Sequence, residues 1–404
     1  MFHPCPQSAS QRVSSFARSL PSRSFETIVL TSTCCKVVDK RRRSSARALV
    51  YDFRCPRFLI SLSSLMVNPL RLLLYCGMSV LLALWKKIDC VFASVPCGET
   101  AIAGFLLWKF FGIPLVVDIR DLYPVPEVEF PFLKVHPPAL LNRLITKIFA
   151  FLYRSSKKIV CVDTNIKQKV TELGVSEKKI VVIPNGADTS VYRPSNFESR
   201  RETRLMYELP EKKLIFVYAG ALTGWYPLTS IYGGLKQPFQ ERGDFQLLVI
   251  TFTKYDIYLE EIQRLGLRDV VRFMGPLSVS ETARVLSACD VGVVVYSGTD
   301  YWKTMYGGKI FSYMACGLPV MAFGPKGSVI NDLLSKHKAG VFVGEPSEQN
   351  FVSGILHFLD NKQESKAMGR NARETVERFY DRRMFGLKLV SLIEEVLEAR
   401  HRVV

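Results

Sequence analysis

The feature that most constrains this chain is a regular alternation of short β-branched segments with segments long enough to form helices. A first series of strand-like segments occupies residues 27–31, 90–93, 115–119, 159–162 and 180–183. After a charged stretch at 198–204, a second series occupies residues 214–218, 247–250, 270–274, 291–296 and 319–322. Alternating strands and helices form parallel sheets covered by helices. The sequence therefore predicts an α/β protein with two Rossmann-like, doubly wound domains facing a cleft.

The charged stretch marks the expected domain boundary. A chain of 404 residues exceeds what a single hydrophobic core usually supports. We expect residues 1–195 to form the first domain and residues 196–381 the second. Residues 382–404 read as a helix that packs back across the junction, because Leu389, Ile393 and Val396 share one face.

Positive charge is concentrated near the start of the chain. The formal net charge is +17, and the first hundred residues carry 14 Lys and Arg against five Asp and Glu. The basic residues are densest at 40–43, and apolar segments follow at 58–84. This order favours an anionic membrane surface over nucleic acid, since no helix-turn-helix or zinc-finger spacing is present. A solvated loop followed by a buried helix remains the alternative.

The apolar run at 70–84 is too short for a membrane span, which needs about 20 residues. It indicates a core or interfacial helix instead. The ten cysteines include no C-x-x-C pair, and Cys90, Cys161 and Cys289 lie in or beside apolar runs. Residues 1–10 lack the apolar region of a signal peptide. We therefore expect a cytoplasmic protein, peripheral on the inner face of the membrane.

A first polar motif, V-D-I-R-D-L-Y-P, follows a buried strand at residues 117–124. It brings Asp118, Arg120 and Asp121 to the carboxyl end of the sheet, where open α/β sheets bind ligands. These side chains can orient hydroxyl groups or offset developing positive charge, and we predict a catalytic role for them. The alternative is a turn in which the Asp and Arg side chains pair with each other and contact no ligand.

Two glycine-containing turns lie at strand ends in the second half. Gly220 and Gly224 flank a turn directly after a strand, where small residues let backbone N–H groups approach a pyrophosphate. Gly308 and Lys309 open a short helix that ends at Gly317. A helix N-terminus with a lysine suits a diphosphate. Glycine is common in such turns, however, and a glycine-entered helix with a surface lysine is the alternative.

These motifs, with I-P-N-G-A-D-x-x-x-Y-R-P at residues 183–194, resemble the glycogen-synthase-like glycosyltransferases of the GT-B fold. The similarity runs from about residue 2 to residue 385. It implies transfer of a sugar from a nucleotide-diphosphate sugar, usually with retention and without a metal or other cofactor. The acceptor is expected to be a glycan or a lipid-linked glycan. On this resemblance the acceptor side includes Arg12 and Glu99, and the donor site includes Gly220, Thr223, Gly224, Gly307, Gly308, Lys309 and Ser312.

The chain departs from the family at the donor site. Ser312 stands where the family usually has an acidic residue for the donor ribose. The turn after Gly220 has Ala221, Thr223 and Trp225 where an Arg and a Lys often meet the phosphates. Two other functions therefore stay open: a non-catalytic membrane-associated partner of another transferase, and a GT-B-fold nucleotide-sugar epimerase. Against the epimerase, all five histidines stand outside the motifs.

The start of the chain is also unusual. Relatives open with a strand that leads into a loop like His3-Pro4 and a helix like residues 11–20, but only Met1 and Phe2 precede that loop here. A strand averages five to six residues. We therefore expect the first domain to lack its first strand, either because the natural start lies upstream or because residues 27–31 move across to close the gap.

Overall fold

The computed structural model describes residues 2–3, 8–20, 25–33, 48–54, 69–95, 98–121, 139–222 and 226–401. Its strands are β1 (Phe2–His3), β2 (Thr27–Thr33), β3 (Ala48–Arg54), β4 (Val91–Val95), β5 (Leu115–Ile119), β6 (Lys158–Cys161), β7 (Ile180–Val182), β8 (Leu214–Ala219), β9 (Phe245–Ile250), β10 (Val271–Met274), β11 (Val291–Val295), β12 (Val320–Phe323) and β13 (Gly340–Gly344). Its α-helices are α1 (Ser8–Ser19), α2 (Pro69–Trp85), α3 (Gly98–Phe111), α4 (Ala139–Ser155), α5 (Thr164–Glu172), α6 (Phe197–Met206), α7 (Lys236–Glu241), α8 (Asp256–Arg264), α9 (Val279–Ser287), α10 (Gly308–Ala315), α11 (Val329–His337), α12 (Glu348–Asp360), α13 (Lys362–Phe379) and α14 (Arg382–His401).

The chain forms two compact units. Unit 1 comprises Met1–Pro184 and Arg383–Val404, and unit 2 comprises Asn185–Arg382. Unit 1 contains a sheet of order β3-β2-β1-β4-β5-β6-β7, and unit 2 a sheet of order β10-β9-β8-β11-β12-β13. Neighbouring strands within both sheets run parallel, as β4 and β5 and as β8 and β9 do. The predicted α/β class with two Rossmann-like sheets is confirmed.

The first strand, which we expected to be missing, is present as the two-residue β1. Phe2 pairs with Leu30 of β2 and with Ala93 of β4, and His3 pairs with Thr31. The central position of the sheet is therefore occupied, and β2 has not moved across to fill it. This corrects the sequence interpretation: the strand is reduced to two residues rather than absent.

Two strands escaped the sequence analysis. β3 pairs with β2 over seven residue pairs, from Thr27–Ala48 to Thr33–Arg54. It was hidden because it lies within the basic segment that we read as a membrane contact. β13 begins and ends with glycine, which weakens a strand pattern. Gly340 is nevertheless required there, since a Cβ atom on it would collide with the backbone of Val320 in β12.

The helices α2, α3 and α4 lie on one face of the unit 1 sheet, as the right-handed rule for parallel crossovers requires. α3 contacts both of the others and packs closely on β4 and β5. A Cβ atom on Gly104 of α3 would lie only 2.6 Å from Cδ1 of Leu115. The expected helix at 70–84 is present as α2, with Tyr75 and Leu82 buried. Within the described ranges no helix is both long and apolar enough to cross a bilayer.

In unit 2 the incoming and outgoing chain segments are bound to each other. Ala187 forms a parallel bridge with Asp381, and the Thr189 hydroxyl donates to the Asp381 carboxylate at 2.7 Å. Arg373 of α13 donates to the carbonyl oxygens of Thr189, Tyr192 and Ala315. The segment that carries the G-A-D-x-x-x-Y-R-P motif is thus fastened within the unit by long-range hydrogen bonds.

Candidate donor and acceptor sites

At the carboxyl edge of the unit 1 sheet, Asp118 forms a buried ion pair with Arg12 of α1. Asp118 is fully buried, and Nη2 of Arg12 donates to its Oδ1 at 2.9 Å. The hydroxyl of Ser94, in β4, donates to Oδ2 of Asp118 at 2.9 Å. Arg12 also donates to the carbonyl oxygens of Ile183 and Pro184, beyond β7. Because both groups have internal partners, we interpret them as the residues that hold this sheet edge together.

The other predicted residues of unit 1 lie around the same edge. Arg120 donates through both its backbone N–H and its Nε to the carbonyl oxygen of Val95, so its side chain folds back on β4. Glu99, in the first turn of α3, is 2% exposed. A carboxylate is favourable there because helix N-termini carry partial positive charge. Asp121 follows β5 and is half-buried. The structure therefore brings the predicted residues to one edge.

Asp163 is an acidic residue at this edge that the sequence analysis did not select. Its Oδ1 accepts from the backbone N–H of Ile166 at 2.7 Å and caps α5. Its Oδ2 is buried and has no hydrogen-bond partner among the described residues. Burial raises the pKa of this carboxyl, and the charge of Asp121 raises it further. The Asp-Thr-Asn sequence after a strand is a helix-cap signal that can be read from the sequence. The burial of the Asp163 Oδ2 could not be read there, because it depends on tertiary packing.

In unit 2 the turn after β8 meets the start of α10. The N–H of Gly220 donates to the carbonyl oxygen of Ile250, which fixes the turn beside β9. Gly307 is the N-cap of α10, and no side chain caps that helix. Gly308 is exposed, and a Cβ atom on it would meet nothing within 4 Å. The first N–H groups of α10 are therefore approachable by a ligand.

The ammonium of Lys309 lies between these two turns. Its Nζ is 4.1 Å from the ring centre of Tyr218 and 4.0 Å from that of Tyr226. A Cβ atom on Gly220 would lie 2.9 Å from the same Nζ, so only glycine permits this approach. The Nζ is shielded from solvent and has no hydrogen-bond partner among the described residues. Burial lowers the pKa of Lys309 to about 7.

Tyrosines hold α10 against the turn after β8. The Tyr313 hydroxyl accepts from the backbone N–H of Ala219 at 2.6 Å, and Tyr313 is fully buried. The Tyr218 hydroxyl donates to the carbonyl oxygen of Ala221 at 2.6 Å. Gly307 packs against the Tyr296 hydroxyl so closely that a Cβ atom could not be placed there. None of these three tyrosines was given a role from the sequence.

The predicted donor residues of unit 2 are thus brought together, with two exceptions. Thr223 and Gly224 lie outside the described residues. Ser312 lies one turn beyond Lys309 on α10 and is half-buried. The described residues contain no group of three or more His, Cys, Asp or Glu side chains that could hold a metal ion.

Two family models match the chain in succession. The first, Glycosyltransferase Family 4, matches residues 9–191. The second, Glycosyl transferases group 1, matches residues 216–361. The first lies almost wholly within unit 1 and the second lies within unit 2.

Sequence relatives and solved structures agree with these matches. A D-inositol 3-phosphate glycosyltransferase of Corynebacterium aurimucosum is 23% identical over 68% of this chain. The chain spans 65% of that relative, which is less than two thirds of its length. The structure of Anabaena Alr3699/HepE in complex with UDP and glucose has a TM-score of 0.72 at 16% identity, covering 97% of this chain and 98% of that one. Sucrose-phosphate synthase of Thermosynechococcus elongatus has a TM-score of 0.74 at 15% identity, covering 97% and 94%.

Proposed function

The chain belongs to the glycosyltransferases of the GT-B fold, and we propose that it moves a sugar from a nucleotide-diphosphate sugar to a glycan or lipid-linked acceptor, with retention of anomeric configuration. The observation that carries the donor site is the buried ammonium of Lys309, which has no hydrogen-bond partner among the described residues and lies beside Gly220 and the uncapped start of α10. Burying a cation without a partner costs free energy. A site that retains such a group is best explained by an anionic ligand that completes it.

The proposed chemistry follows from this arrangement. As the bond from the sugar to the diphosphate breaks, negative charge develops on the leaving oxygen. The free N–H groups at the start of α10 and the Lys309 ammonium are already oriented, so they stabilise that charge without reorganisation. Ser312 replaces the usual acidic residue, so we assign the ribose contact to no charged group.

The UDP and UDP-glucose bound to HepE make UDP-sugars the first donors to test. Lys309→Ala is expected to lower kcat/KM for sugar transfer. The expected loss of transition-state stabilisation is about 2–4 kcal/mol. Lys336→Ala is the matched control, since Lys336 is an exposed lysine in the last turn of α11. The assay is transfer and donor hydrolysis by the purified full-length chain, with thermal unfolding to confirm that both variants fold.

Unchanged kcat/KM in Lys309→Ala would remove the donor assignment. Donor binding by the wild-type chain without transfer or hydrolysis, across a panel of acceptors, would instead favour the non-catalytic partner role.

We also propose a cytoplasmic chain that lies on the inner face of the membrane, where a lipid-linked acceptor is found. The basic run at 40–43 and the residues at 55–68 lie outside the described residues. The described cysteines Cys76, Cys90, Cys161, Cys289 and Cys316 are free thiols, which supports a reducing compartment.

A further inference from the structure

The outward face of α4 carries an unusual combination of side chains. Its exposed apolar residues are Leu140, Leu144, Ile148 and Phe151, which are 81%, 55%, 48% and 54% exposed. The other exposed residues of α4, among those whose side chains are described, are Arg143, Lys147 and Arg154. Every exposed position described on this helix is therefore apolar or basic.

The same character continues over the neighbouring helices. On α2 the exposed residues include Leu73, Leu81, Leu84 and Trp85, at 67%, 57%, 67% and 84%. The last turn of α3 carries Lys109 and the exposed Phe110. The helices form one layer, because α3 contacts both α2 and α4, and the Phe105 ring lies 5.8 Å from the Phe151 ring. The three helices contain a single acidic residue, Glu99, and it is buried.

Exposing so much apolar side-chain surface to water is unfavourable. Large contiguous apolar patches on protein surfaces mark interaction sites. A second copy of the chain is a poor occupant. A two-fold symmetric contact places the same patch on both sides, so Arg143 and Lys147 would meet basic residues and no acidic ones. An anionic bilayer surface satisfies both properties at once, because it accepts apolar side chains and attracts lysine and arginine.

We infer that the outward faces of α2 and α4, with the end of α3, form a surface that docks on an anionic lipid bilayer. The chain lies in the interface, with Leu140, Leu144 and Ile148 inserted among the acyl chains and Arg143 and Lys147 at the phosphates. Docking at this surface would bring the chain to a lipid-linked acceptor, and in this respect the inference rests on the proposed function. It places the contact on α2–α4, whereas the sequence alone indicated residues 40–84.

The test is vesicle flotation of the full-length chain with phosphatidylcholine alone and with phosphatidylcholine mixed with phosphatidylglycerol. We expect binding to the mixed vesicles, weaker binding to neutral ones, and loss of affinity with added salt. The charge variant Arg143→Gln/Lys147→Gln is expected to bind mixed vesicles on the order of thirtyfold more weakly. The apolar variant Leu140→Gln/Leu144→Gln/Ile148→Gln is expected to abolish flotation.

Matched controls come from unit 2. Leu205, Ile257 and Leu259 are 75%, 69% and 44% exposed, and changing all three to Gln should leave flotation unchanged. Lys336→Gln/Lys366→Gln removes two exposed charges and should also have no effect. Equal loss in the controls and in the α4 variants would overturn the inference, as would equal binding to neutral and anionic vesicles or no binding.

Two further measurements keep the result interpretable. Sedimentation of the wild-type chain should show a monomer; a dimer that the apolar variant dissociates would assign this face to a second copy and overturn the inference. Binding of a UDP-sugar by the same variants should match wild type, which also shows that they fold. Loss of vesicle binding with intact donor binding separates this inference from the proposed donor site, whose failure would appear instead as absent donor binding in the wild-type chain or as unchanged kcat/KM in Lys309→Ala.

Discussion

The surroundings of Lys309 disfavour its charged form relative to water, because they remove the ammonium from solvent. Its ammonium is enclosed by the Tyr218 and Tyr226 rings, and its pKa is lowered to about 7 by desolvation. A diphosphate is expected to bind the charged form and to raise the pKa again. Binding above neutral pH must therefore take up a proton.

The expected result is a donor affinity that falls as pH rises. A UDP-sugar is a suitable ligand, because its diphosphate keeps its charge in the range used. Between about pH 6.5 and about pH 8.5 its Kd should rise by up to about tenfold per pH unit, as linkage of one proton requires. Calorimetric titration in buffers of different ionisation enthalpy should detect the proton uptake.

Lys309→Arg is the matched control for this titration. The guanidinium stays charged throughout this pH range, so its Kd should not change with pH. The lowered pKa of Lys309 has the opposite effect on stability, which should rise with pH while donor affinity falls. Below about pH 7 the buried charge lowers the free energy of unfolding, and this loss is recovered as pH rises from about 7 towards 10.5. A wild-type Kd that is constant with pH would contradict the assigned ionisation.

At the residue scale, local chemistry made Gly220, Gly308 and Lys309 visible in the sequence. Glycine at strand ends and lysine at a helix start are signals that need no long-range contact. The roles of Tyr218 and Tyr226 were not visible, since both depend on how α10 packs beside the turn after β8. Asp118 was predicted to be catalytic and Arg12 to lie on the acceptor side; their mutual ion pair was not predicted, because it joins positions 106 residues apart.

At the scale of elements, this ion pair connects α1, β4, β5 and the segment after β7. Asp118→Asn should lower the free energy of unfolding of unit 1 by about 3–5 kcal/mol, because it leaves the Arg12 charge buried without its partner. Urea unfolding followed by circular dichroism measures this. The double variant Arg12→Met/Asp118→Leu should recover much of the loss, since no unpaired charge remains.

Equal losses in the single and double variants would mean that Ser94 and the carbonyl contacts, rather than the pairing of charges, stabilise this edge. The prediction also separates a structural role from a catalytic one. If Asp118→Asn kept full stability and lost transfer activity, the original prediction of a catalytic Asp118 would be favoured.

Element-level prediction succeeded where strands are buried and continuous, as in β5, β8 and β11. It failed at β3, an edge strand that is embedded in basic sequence. It also misjudged β1, because two residues carry no periodicity and are fixed only by the flanking β2 and β4.

At the scale of the whole molecule, unit 2 is a continuous segment inserted into the chain of unit 1. Unit 1 is completed by α14, whose Leu389 and Val396 are buried. The ends of unit 2 are fastened together by the Ala187–Asp381 bridge and the Thr189–Asp381 hydrogen bond. Domains with neighbouring termini tolerate insertion and excision. The segment at 183–194 thus contains the residues through which the start of unit 2 is joined to its end.

The segment 185–382 should therefore fold on its own and bind the donor. Its core is self-contained, with Phe216, Leu247 and Phe358 in one cluster, and Lys309, Gly220 and α10 all belong to it. We expect a cooperative thermal transition whose midpoint temperature a UDP-sugar raises, since ligand at 100 times its Kd adds about 2.7 kcal/mol to the free energy of unfolding.

The same segment carrying Lys309→Ala should fold equally well and show a much smaller rise in transition temperature with the UDP-sugar. Asp381→Ala should lower the transition temperature without changing donor affinity, because Asp381 joins the ends of the segment and is not among the residues assigned to the donor site. A folded segment without donor binding would show that the donor site needs residues from outside 185–382, and it would contradict the placement argued from Lys309.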